Sequence, residues 1–175
     1  MAHFFIFLNQ KRFQFALGKG NFFSFFKYWT IATPEFRKVV PGLLLFALFN
    51  SSDIFLLLIT KASIGNETVS ILGVAFNSYS ITIGAYVFYN LVYAAISYPM
   101  GMLADRFSPR TIVIAGFILF AIVYAGFAFS PSVSEIFILF ALYGIYAAAT
   151  EGVIKAWISN LAHGENTATA IGFYT

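Results

Sequence analysis

The chain has 175 residues, 60% hydrophobic and only 10% charged, with no cysteine and a formal net charge of +3. Soluble domains carry about 25% charged residues, so this composition excludes both a water-soluble enzyme and an intrinsically disordered chain. Without cysteine there can be no disulfide, thiolate metal site or cysteine nucleophile, and the slight basic excess reads as membrane topology rather than a nucleic-acid footprint.

The class that remains is all-α, a polytopic bundle of membrane helices. Strands of a membrane barrel would alternate over about ten residues, whereas the apolar runs here are longer and apolar on all sides.

Residues 1–36 hold ten of the 23 phenylalanines together with Lys11, Arg12, Lys19 and Lys27. The opening MAHFFIFL has no basic n-region and no cleavage site, so it is not a signal peptide. The stretch GNFFSFFKYWTIAT suits a membrane–water interface, as a linker or a surface helix, or else forms a poorly ordered leader.

Crossing the hydrocarbon core takes about 20 apolar residues. Four stretches qualify, at about 37–60, 80–103, 111–129 and 135–162, and a further helix begins near 167. Pro41 is placed in the first turn of the first span, and Pro99 near the end of the second, where it should bend the helix. Lys27, Arg37 and Lys38 precede the first span, and Arg106 and Arg110 lie in the loop after the second. The positive-inside rule then puts the N-terminus and that loop in the cytoplasm, and residues 61–79 outside.

The spans differ in polarity. The first holds Asn50, Ser51, Ser52 and Asp53; the second carries a polar stripe of Tyr86, Asn90, Tyr93, Ser97 and Gly101; the fourth carries Glu151 and Lys155; the third has no ionisable residue. A charge at a helix centre costs about 2.5–3.5 kcal/mol on the insertion scale, so these side chains should face protein or a water-filled cavity. The first and fourth spans are therefore expected to line a cavity, the second to flank it and the third to lie at the periphery. At about 1.5 Å rise per residue, Asn50 falls near mid-membrane, Asp53 in the outer half and Glu151 towards the cytoplasmic edge, so the two acids belong to different levels.

Asp53, with Asn50 and Asn90, is the candidate for substrate contact or proton coupling. A carboxyl group in a partly desolvated site can take up a proton near neutral pH. Glu151 and Lys155 can pair within their helix. The small residues Gly144, Ala148 and Gly152 form a ladder that permits close helix approach. No cofactor is implied: His3 and His163 are too far apart in the sequence for a metal site, and no phosphate loop is present. Asn66-Glu67-Thr68 is a formal glycosylation sequon on the outer loop.

The loop Gly101-Met-Leu-Ala-Asp105-Arg106-Phe-Ser108-Pro109-Arg110 resembles the cytoplasmic signature of the major facilitator superfamily: glycine, three residues, Asp-Arg, one residue, Gly-Arg-Arg. Gly101, Asp105, Arg106 and Arg110 match, while Ser108 and Pro109 stand in place of the usual Gly and Arg. PEFRKVVPGLLLFALFNSSDIFLLL and GIYAAATEGVIKAWISNLA resemble the seventh and tenth helices of a bacterial branch of that superfamily. The resemblance covers about residues 34–175. It implies that the spans are helices seven to ten of a twelve-helix secondary transporter, with the eleventh begun and the leader a remnant of the central linker.

The resemblance further implies a multi-pass protein of the plasma (inner) membrane, a small-molecule substrate, and as partners the lipid bilayer and a missing N-terminal half or partner chain. It also suggests a cytoplasmic charge network joining Asp105, Arg106 and Arg110 to Glu151 and Lys155. The alternatives are a non-transporting membrane subunit or an inactive truncated product, and, more remotely, an intramembrane enzyme using Asp53 or Glu151.

Overall fold

A computed structural model describes residues 24–50, 53–65, 68–71, 73–129, 131–162 and 164–175. Residues 1–23, with His3 and most of the leader, lie outside the described residues, as do Ser51, Ser52, the first two sequon residues and His163.

The elements in chain order are α1 (Ser24–Ile31), α2 (Pro34–Phe49), α3 (Asp53–Ile64), the strands β1 (Val69–Ile71) and β2 (Val74–Phe76), α4 (Ser78–Phe107), α5 (Pro109–Ala128), α6 (Val133–Leu161) and α7 (Thr167–Tyr174). Among the described residues, four segments are long and apolar enough to cross a membrane: α2 with α3, α4, α5 and α6.

Local chemistry sets the helix starts. Thr33 accepts the N–H of Phe36 and Pro34 occupies the opening turn of α2, followed by Glu35, where a missing N–H is harmless and a negative charge favourable. This start precedes the expected one, so Pro41 lies inside α2 rather than in its first turn. Asn77 caps α4 by accepting from Ser80 N–H at 2.8 Å. Glu135 Oε2 accepts both the N–H and the hydroxyl of Ser132 at 2.7 Å, at the start of α6.

The first apolar run is not one continuous helix. Asn50 is extended (φ −69°, ψ 113°) and ends α2, its N–H donating to Phe46 O, and Asp53 opens α3. Broken helices at membrane depth are tolerated where the irregular backbone is buried or lines a cavity. The segment between α3 and α4 also holds a hairpin, with Val69 opposite Phe76 and Ile71 opposite Val74. Gly73 at its turn has φ +81°, a conformation that favours glycine.

The fourth span, α6, is the hub. Over its most apolar window 61% of residues are buried, against 13% for α2 with α3. It contributes side chains to two apolar clusters. One contains Phe36, Val40, Val153 and Ile158; the other contains Leu56, Ala85, Ile136 and Phe140. The third span, α5, packs on α6: a Cβ on Gly116 would meet Thr150 Cγ2 at 2.7 Å and Ala149 Cβ at 3.3 Å. Outward-facing side chains such as Leu48, Phe55, Leu91, Ile118 and Ile138 are apolar and exposed, the surface expected where lipid is the solvent.

The small-residue ladder divides. Gly144 is in close contact with α4, where an added Cβ would meet Tyr89 O at 2.9 Å, whereas the space at Gly152 is open. The end of the leader is ordered helix. Tyr28 in α1 is 4% exposed, Trp29 stacks on Phe173 of α7, and Arg37 donates to Ala32 O through Nε and Nη2 at 3.1 and 2.9 Å. Thr33 Oγ1 donates to Leu161 O at 3.0 Å, tying the start of α2 to the end of α6.

Candidate functional site

Asp53 lies in the first turn of α3, where the helix dipole favours a carboxylate. Two tyrosines from other helices hold it. Tyr143 of α6 donates to Oδ1 at 2.6 Å and Tyr89 of α4 donates to Oδ2 at 3.5 Å. Both tyrosines are buried, while Asp53 is half-buried. The carboxylate thus joins three helices and keeps an accessible side.

Tyrosine rings continue from this point. Tyr89 and Tyr143 lie 5.1 Å apart between centroids, Tyr86 lies 5.6 Å from Tyr89, and Tyr93 stacks on Tyr89 at 6.5 Å. Tyr93 then donates to Glu151 Oε2 at 3.1 Å. Asp53 and Glu151 are not direct partners; Asp53 is held by Tyr89 and Tyr143 and Glu151 by Tyr93, and these tyrosine rings touch through Tyr89. The step from Tyr143 to Glu151 is eight residues, about 12 Å along the helix.

The other candidate residues are placed as follows. Asn50 is exposed and closes the last turn of α2 through its backbone; Asp53 is held by tyrosines instead. Asn90 is exposed and donates through Nδ2 to Tyr86 O on its own helix at 2.8 Å. Gly101 and Asp105 line a groove of about 260 Å³ together with Tyr93, Ser97, Gly152 and Asn160. Arg110 lines a different groove, of about 490 Å³, with Lys38 and Trp157. Arg106 lies over the ring of its neighbour Phe107, with Cζ 5.6 Å from the centroid. Lys155 is exposed, one turn beyond Glu151. Asp105 and Arg110 thus line separate grooves, and Glu151 accepts from Tyr93. Among the described residues no three acidic or histidine side chains are grouped to hold a metal.

Sequence reasoning did not single out Tyr89 or Tyr143 as partners of Asp53. Tyr143 lies on the same helical face as Ala147 and Glu151, and Tyr89 is one turn before Tyr93, so the faces were legible although the pairing was not.

The signature loop has one further feature. Ser108 ends α4 and begins α5 with φ 117° and ψ 142°, a region that favours glycine. Its Oγ lies 3.0 Å from Thr111 Oγ1 and accepts the N–H of Thr111 at 3.3 Å.

Comparison with known proteins gives the family. Residues 41–175 match the family model described as Major Facilitator Superfamily. An uncharacterized MFS-type transporter of Methanocaldococcus jannaschii is 40% identical over 96 residues, which cover 54% of this chain and 24% of that protein. The aligned part thus spans about a quarter of the relative. No solved structure matches the chain. With four apolar segments long enough to cross a membrane among the described residues and a family match over most of its length, the chain is an integral membrane protein and belongs to the major facilitator superfamily.

Proposed function

We propose that the chain is part of a secondary transporter that moves a small molecule across the membrane by alternating access, and that it is not an enzyme. Its spans correspond to helices seven to ten, and α7 to the start of the eleventh. The plasma membrane is the proposed location, with the α4–α5 loop and the N-terminal side in the cytoplasm. Basic residues flanking the spans on that side support the orientation.

The observation that carries the reading is the Asp53 carboxylate, held by Tyr89 and Tyr143 where a broken span meets two other helices. Transporters of this type bind near the midplane, at discontinuous helices facing a cavity. An ionisable residue retained within the membrane marks such a pathway. Asp53 is proposed as the substrate or coupling residue. The Asp105–Arg106–Arg110 loop is proposed to act at the cytoplasmic gate through contacts made in another conformation.

The chain contains no cysteine, so single cysteines report cleanly on this region. In the full-length protein in oriented vesicles, with any cysteines elsewhere replaced, a cysteine at Ser97 should react with an impermeant maleimide from the cytoplasmic side. One at Tyr86 should react from outside, with the two reactivities varying inversely between conformations. Labelling of both positions from one side only would overturn alternating access through this cavity.

A further inference from the structure

The chemistry around Asp53 also bears on the kind of molecule the site takes. The partners of both intramembrane carboxylates among the described residues are tyrosine hydroxyls: Tyr143 and Tyr89 on Asp53, and Tyr93 on Glu151. A hydroxyl orients a carboxylate but leaves its charge in place. Within a membrane span that charge is costly until a cation meets it.

The surroundings of Asp53 are aromatic. Tyr89 and Tyr143 are 5% and 3% exposed and donate to the carboxylate, while the ring of Tyr86, 37% exposed, lies 5.6 Å from that of Tyr89. Tyrosine faces attract cations through the ring quadrupole, and rings around a carboxylate are the usual recognition chemistry for substituted ammonium groups. The basic side chains nearest along the chain are engaged or displaced: Lys61 donates to the hydroxyl of Tyr79 at 2.7 Å on the outer side, and Lys155 lies one turn beyond Glu151 towards the cytoplasmic end.

We infer that the site takes a monovalent organic cation, with its charge at Asp53 and its apolar body against Tyr86 and the neighbouring tyrosines, and that Tyr93 with Glu151 forms the next station towards the cytoplasm. This rests on the transport reading and names its substrate class. A carboxylate alone would serve a proton or an inorganic cation equally well. The exposed Tyr86 ring packed on Tyr89, a donor to Asp53, favours an organic one, because a small hydrated ion gains little from an aromatic wall.

The test uses the full-length protein, purified in detergent and titrated with tetraphenylphosphonium by calorimetry. Tetraphenylborate, of the same shape and opposite charge, is the comparator. The cation should bind and the anion should not. Asp53→Asn should weaken cation binding at least tenfold, Tyr86→Ala about threefold to tenfold, and Lys155→Ala should not weaken it. Tyr79→Phe, at the outer end of α4, serves as a control that leaves binding unchanged, and each variant's melting temperature confirms folding. Equal binding of cation and anion would overturn the inference, as would cation binding indifferent to Asp53→Asn. So would absence of cation binding in protein whose cysteine labelling alternates; in that case transport stands and the substrate class falls. Cation binding at Asp53 without alternating labelling would instead uphold the site chemistry and remove the transport reading.

Discussion

The Tyr143 hydroxyl donates a 2.6 Å hydrogen bond to Asp53 Oδ1, joining α6 to the first residue of α3 across 90 positions of chain. Tyr89 reaches the other oxygen at 3.5 Å, the outer limit for such a bond. The two donors are therefore unequal. Tyr143→Phe should lower the unfolding free energy by about 0.6–1.7 kcal/mol, the span from mean to maximum for interhelical hydrogen bonds within a folded membrane protein, and Tyr89→Phe by less. Thermal unfolding of the purified variants in lipid nanodiscs measures this. Equal losses would mean that the two hydroxyls share the carboxylate.

Ser108 occupies a glycine-favouring backbone conformation in the loop whose family signature has glycine there. Holding a non-glycine residue in such a region costs about 1–3 kcal/mol, whereas exchanging a serine cap for glycine loses only a few tenths. Ser108→Gly should therefore stabilise the protein by about 1–2 kcal/mol, seen as a higher melting temperature. A lower one would show that the Ser108–Thr111 hydrogen bonds outweigh the strain.

Gly144 and Gly152 stand two turns apart on one helix but differ in surroundings. An alanine at 144 would press on Tyr89 O and on Val92, while at 152 it meets open space. We expect Gly144→Ala to destabilise by about 1–3 kcal/mol, the cost of overpacking. Gly152→Ala should be neutral or slightly stabilising, since alanine is the better helix former. Parallel melts of the two variants decide it.

Glu151 binds Tyr93 at 3.1 Å, whereas Arg110 faces another groove. In a double-mutant cycle, Tyr93→Phe and Glu151→Gln should couple by about 0.5 kcal/mol or more, and Arg110→Gln with Glu151→Gln should add within about 0.5 kcal/mol. Strong coupling of the second pair would place the proposed charge network in the predominant conformation.

Thr60 is fully buried in α3, and its hydroxyl has no hydrogen-bond partner among the described residues. An unpaired buried hydroxyl costs about 1–3 kcal/mol in protein interiors. Thr60→Val keeps the shape and removes that cost, so the melting temperature should rise. A fall would reveal a partner that the full-length protein supplies.

The sequence by itself determined the membrane class and the residues whose chemistry is unusual within the apolar runs. These are local properties. A run of about 20 apolar residues has one stable solution in lipid, because the backbone must satisfy its own hydrogen bonds. The signals at Thr33–Pro34, Asn77 and Ser132 act within one helical turn. The signature around Asp105 and Arg106 was legible for the same reason, being contiguous. The hairpin around Gly73 was also contiguous, but its strands are only three residues each, too short to stand out by alternation.

Only the tertiary structure decided what those unusual residues meet. That Asp53 is held by tyrosines 36 and 90 positions away, that Gly144 packs while Gly152 opens onto a groove, and that Asp105 and Arg110 face different grooves depend on the rotation of each helix about its axis and on how the helices cross. Those variables are fixed by packing across the whole bundle, and periodicity within a single helix does not contain them.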